Sequence, residues 1–182
     1  SLNASKVMVN DSLCASLMTK HLIETGRKRI AHIMGPSIIR NTTERAIAYQ
    51  QMLTDHSIFD PDLIIKTKGV SFEDGRNAAQ QLLNLNKDFD SIFAFTDTLA
   101  IGAMNYLLDQ GIKIPQQVSI ASFSGTELAI MVHPQLTSVE QPMVHMGEVA
   151  AELILEKINN KDAQSKTIVM DAKLVYRAST SN

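Results

Sequence analysis

Missing from this sequence is a second cysteine, and with it any internal disulfide. The one thiol, Cys14, sits among Leu13, Leu17 and Met18, where it reads as a small packed hydrophobe. A charge excess is missing too: 17 Lys plus Arg stand against 19 Asp plus Glu, a formal net charge of −2. No global field recruits nucleic acid or an anionic membrane, so DNA binding by this chain alone is not expected. No apolar run approaches the ~18 residues that span a bilayer, and the start lacks a signal-peptide pattern. The expectation is a cytoplasmic chain with no membrane partner. There is no G-x-G-x-x-G, no G-x-x-x-x-G-K, no G-x-S-x-G and no H-E-x-x-H, so neither a cofactor nor an enzyme is expected. His21, His32, His56, His133 and His145 are scattered and form no pair at ligand spacing, which predicts no metal site.

What is present is a regular alternation. At 182 residues and 45% hydrophobic, the chain can bury one sizeable core, or one core with an appendage. Val7-Met8-Val9 reads as a strand, and Leu13, Leu17, Leu22 and Ile23 as a helical stripe stopped by Gly26. Strand and helix then recur: 29–34 and 42–55, 63–66 and 72–84, 91–95 and 97–109, 118–123 and a short helix at 126–131. Ser71-Phe72-Glu73-Asp74 has the spacing of a capping box. Strands alternating with helices of this length predict an α/β fold, a doubly wound parallel sheet covered on both faces. Ligands in such folds lie beyond the C-terminal strand ends, here Asn10-Asp11, Gly35-Pro36, Thr96-Asp97 and Ser122-Phe123-Ser124-Gly125. The last third differs. Leu136 to Val139 is β-rich, Met146, Val149, Ala150, Leu153, Ile154 and Ile158 form one helical stripe, and 168–176 reads as one long extended segment.

Three polar groups need a reason. The stretch "FAFTDTLAIGA", Phe93 to Ala103, breaks on Thr96-Asp97-Thr98 at a strand-to-helix junction, where Asp97 can cap the helix, bind something, or do both. Arg27-Lys28-Arg29 follows a helix-ending glycine and complements that helix's dipole. Arg45 is placed on the first turn of its helix, where the dipole disfavours a cation, and this suggests either a ligand contact or a plain ion pair.

The stretch from Ser91 to Leu155, with "GIKIPQQVSI", "PQLTSVEQP" and the Met146-Gly147 helix in order, resembles the C-terminal effector-binding core of the LacI/GalR transcription regulators. "HLIETGRKRIAHIMGP" and Arg45 to Tyr49 extend the resemblance over essentially the whole chain. It implies a periplasmic-binding-protein-like lobe, 1–135 with 172–182, plus a crossover and remnant of a second, incomplete lobe at 136–171. A DNA-binding headpiece, through which such proteins reach operator DNA, is absent. It further implies a small sugar-like or polar effector held by Arg45, Thr96, Ser124, Gln141, Met143 and Val70, with Asp97 capping its helix. Ser124 stands where an aspartate commonly grips sugar hydroxyls, so neutral and acidic sugars fit equally at this stage. A homodimer interface would use Ile101, Met104, Leu128, Met131 and Val132. The alternatives are a periplasmic solute-binding protein of the same fold and, more remotely, an enzyme on a small polar substrate.

Overall fold

The structure, a computed structural model, describes residues 4–85 and 87–181. Two compact units divide the chain: the larger runs from Asp11 to Glu140 and resumes at Leu174, and the smaller joins the chain up to Asn10 to Gln141–Lys173. The sequence-based boundaries differ from these, since residues 4–10 and 172–173 fall in the smaller unit and 136–140 in the larger.

In the larger unit, α1 (Asp11–Glu24), β2 (Ile30–Met34), α2 (Arg40–Asp55), β3 (Ile64–Lys66), α3 (Phe72–Asn84), β4 (Ser91–Ala94), α4 (Asp97–Asp109), β5 (Ser119–Ser124), α5 (Leu128–Met131) and β6 (Thr137–Glu140) follow in turn. The sheet order is β3-β2-β4-β5-β6-β8, where β8 is Lys173–Val175. Ile30↔Ser91, Ser91↔Ser119 and Ala121↔Thr137 fix the parallel register. The strands are buried along nearly their whole length because helices cover both faces. From β2 the chain steps to β3 on one side and then returns to β4 on the other. That reversal opens a crevice past the strand ends of β2 and β4.

Alternation along the strands sends side chains to two layers. Ala31, Ile33, Ile92, Ala94 and Ile120 join Ala78, Ala79 and Leu82 of α3 and Leu99, Ala103, Met104 and Leu107 of α4. Ile30, His32, Phe93 and Phe123 belong to the other face, beneath α1 and α2, where His32 stacks on Tyr49 and the Tyr49 hydroxyl donates to Ile30 O at 2.5 Å. The capping box of α3 forms as its spacing predicts: Asp74 N donates to Ser71 Oγ, and Ser71 N donates to the Asp74 carboxylate.

The smaller unit holds β1 (Lys6–Val9) paired in parallel with β7 (Thr167–Met170), and α6 (Met143–Asn159). No residue of α6 is buried, and a groove of about 430 Å³ runs along Val7, Ala150, Leu153, Ile154 and Ile158. The extended segment expected over 168–176 is two strands, because it breaks at Asp171-Ala172 and its halves join different sheets.

Two tests follow from this packing. Helices α3 and α4 meet at glycines: a Cβ on Gly75 would overlap the Leu99 carbonyl, and one on Gly102 the Phe72 carbonyl. Alanine at an exposed helix position gains about 1 kcal/mol over glycine. Gly102→Ala should instead destabilise the protein by more than that amount in urea unfolding. His32 is fully buried, its Nδ1 2.8 Å from Phe93 O and its Nε2 without a partner. Burial pushes its pKa down to about 4. The unfolded chain therefore binds the proton more readily, and stability falls as pH drops from about 6.5 to about 4, by on the order of 3 kcal/mol. His32→Gln should flatten that part of a urea-stability profile.

Candidate functional site

At the crevice beyond β2 and β4, the polar groups are assembled from the ends of four elements. Arg45 lies on α2, which starts at Arg40, two residues before the expected start. Arg45 therefore falls on the second turn and faces inward, and the dipole argument for an unfavourable first-turn cation does not apply to it. It is 2% exposed. Its Nε and Nη2 both lie 2.7 Å from Asp11 Oδ1, and Nη1 donates to Phe95 O at 2.8 Å. The guanidinium carbon sits 3.4 Å from the centroid of Phe123 and 4.7 Å from that of Phe95. Burial pulls the Arg45 pKa down, while Asp11 beside it opposes the shift. A charge removed from water requires such a partner, and the partner is the first residue of α1.

The second centre is Asp97. It does not cap α4; the Thr96 hydroxyl does, accepting from Leu99 N at 3.3 Å. Displaced by one position to the first turn, the Asp97 carboxylate is buried and turned toward β5 and β6. Its Oδ1 accepts from Ser122 Oγ at 2.6 Å and Ser138 Oγ at 2.7 Å, and its Oδ2 from Thr126 N at 2.6 Å and Thr126 Oγ1 at 2.8 Å. These bonds hold the turn after β5, where Ser124 has φ 130° and Gly125 φ 65°. A side chain at Gly125 would run into the backbone of Glu140, so the turn is fixed from both sides.

Of the expected site residues, the structure brings three to this one edge: Arg45, Thr96 next to Phe95, and Ser124 next to Phe123. Thr96 and Ser124 are partly exposed. Val70 lies in the loop before α3, 38% exposed, and Gln141 and Met143 belong to the smaller unit. Sequence reasoning missed Asp11 as the partner of Arg45, and Ser122, Ser138 and Thr126 as the donors to Asp97. Asn10-Asp11 had shown itself as a polar strand end; its partner 34 positions away had no local signal. Arg27, read as a dipole partner, donates from Nη2 to Pro115 O. Among the described residues no group of three or more His, Cys, Asp or Glu is placed to hold a metal ion.

The expected interface residues separate. Leu128 and Met131 are exposed, as is Ile130 between them, while Ile101 and Val132 are partly buried against the core. Met104 is a correction: at 2% exposure it packs inside the α3–α4 layer, because the α4 face that carries it points at the sheet.

The ion pair makes a stability prediction. Asp11→Ala leaves a buried cation without its carboxylate and should cost about 3–5 kcal/mol in urea unfolding. The double variant Asp11→Ala/Arg45→Met should recover much of that loss, since an apolar side chain then replaces the stranded charge.

Comparison with known proteins agrees with this architecture. The family of periplasmic binding protein-like domains matches residues 19–180. The HTH-type transcriptional repressor PurR of Vibrio atlanticus is 32% identical over 178 residues, 98% of this chain and 53% of its own length. The ribose operon repressor of Haemophilus influenzae is 32% identical over 179 residues, 98% of this chain and 54% of its own. The transcriptional regulator CelR, solved in complex with cellobiose, superposes with a TM-score of 0.91 at 28% identity, covering 97% of this chain and 54% of that one. The chain thus spans about half the length of the repressors it matches. With the strand order, the crevice and these likenesses in agreement, the chain belongs to the periplasmic binding protein-like domain family, in the form that makes the effector-binding core of LacI/GalR transcription regulators.

Proposed function

We propose that this chain is the effector-sensing and dimerisation core of a cytoplasmic transcription regulator, and that a small sugar-like or polar metabolite bound at the sheet edge modulates DNA binding by a separate headpiece. The observation that carries this reading is the strand-order reversal with Arg45, Thr96 and Ser124 brought to its edge. The cellobiose held by CelR supports a sugar-sized occupant, and the repressors that match along nearly the whole chain support a regulatory output over solute transport. Hydroxyl groups at Thr96 and Ser124 suit sugar hydroxyls. Dimerisation is assigned to Leu128, Ile130 and Met131 with the partly buried Ile101 and Val132 at their margin.

Calorimetric titration with ribose and cellobiose, the sugars named for the similar regulators, tests the binding role. One of them should bind, and Ser124→Ala should weaken it by about three- to tenfold, the effect of one neutral hydrogen bond. Failure of every neutral ligand to bind would count against the reading. For the interface, Met131→Glu places one charge twice across a two-fold axis and should convert a dimer to a monomer by light scattering. A gel shift with this chain should show no sequence-specific DNA complex.

A further inference from the structure

Arg45 has five N–H donors, and three of them are spent inside the chain. The Nε–Nη2 edge, the planar fork that matches a carboxylate or phosphate, is filled by Asp11 Oδ1. One N–H remains on each Nη. The ring faces of Phe123 and Phe95 cover the guanidinium plane. A second buried carboxylate, Asp97 at 1% exposure, also acts on the charge of Arg45. One buried cation thus faces two buried carboxylates; the Cys14 thiol also acts on it, and His32 beside it is uncharged above a pH of about 4.

The helix starts at this edge point the same way. A helix N-terminus is where an anionic ligand would find favourable dipoles. Those of α1, α3 and α4 already hold Asp11, Glu73 with Asp74, and Asp97. That of α2 carries Arg40, whose Nε donates to Glu44 at 2.9 Å. Lys66 and Lys68 near the end of β3 are exposed and screened by solvent. An incoming anion would have to displace Asp11, leaving a buried carboxylate unpaired, or share one cation with two residents.

We propose that Asp11 is a specificity-determining residue, a resident counter-ion that reserves the two remaining N–H groups of Arg45 for an uncharged effector bearing hydroxyl or carbonyl oxygens, and excludes carboxylated and phosphorylated ones. The proposal rests on the effector reading above and selects within it. It also reverses an expectation from the sequence, in which serine at position 124 removed the acid that would repel anions. Asp11 and Asp97 keep acids in the cluster.

The test uses inorganic phosphate, against chloride at matched ionic strength, on the 182-residue chain. Melting temperature and calorimetry are read for wild type, Asp11→Asn, Arg45→Gln, and Asp11→Asn/Arg45→Gln. Wild type should show no saturable phosphate binding into the millimolar range. Asp11→Asn, with Arg45 freed, should bind phosphate at least about tenfold more tightly, and the double variant should lose it again. Saturable binding to wild type that Arg45→Gln abolishes would overturn the proposal, as would a folded Asp11→Asn that stays blind to phosphate. If Asp11→Asn does not fold, the wild-type phosphate arm still decides, together with ribose against ribose 5-phosphate. Preference for the phosphorylated sugar sinks the idea, and preference for the neutral one supports it. The phosphate arm needs no effector, so absence of all neutral-sugar binding would fault the functional reading and leave the charge argument to its own result.

Discussion

A guanidinium taken out of water needs its charge matched and its donors filled, and much of the larger unit is arranged around meeting that need at Arg45. The carboxylate comes from the first residue of α1, a carbonyl from the end of β4, and an aromatic face from β5. The contact ties two helices to the two central strands at the end of the sheet where the strand order reverses. A few ångströms of error in the start of α1 or α2 would strand the charge, so the position of both helices is specified more tightly than apolar packing alone demands. Asp97 does the same for the neighbouring strands with hydroxyl donors in place of a cation.

The order and type of the elements were legible in the sequence because each left a local mark. The buried strands read as short apolar runs, Gly26 and Gly111 stop helices at positive φ, and Ser71 with Asp74 announces a cap. Side-chain destinations were less legible. Met104 and Ile101 sit three positions apart on one apolar helix, and only the packing of α3 decides that the first is core and the second marginal. At Thr96-Asp97, either residue satisfies the composition of a cap; the structure gives the cap to the first and uses the second for a contact 41 residues away. Arg45 was singled out correctly as unusual and for the wrong reason, since its helix begins earlier than the polar run suggested.

The resemblance to a regulator family and the physical reading of the residues met at the crevice, but they contributed different things. The family accounts for the strand order. The charges at the sheet edge follow from this chain's own side chains, and position 124 illustrates the difference: a substitution that looks like the loss of an acid leaves two acids buried close by.

The glycine contact between α3 and α4 also has an evolutionary side. At each of Gly75 and Gly102 the obstacle to a side chain is the partner helix's main chain, so no truncation of a neighbouring side chain can make room. A substitution at either position has no compensating mutation one residue away. Only a shift of a whole helix would accommodate it, and α4 is held at its start by the Asp97 bonds. Both positions are therefore closed to drift, and lineages that keep this sheet edge should inherit the two glycines unchanged.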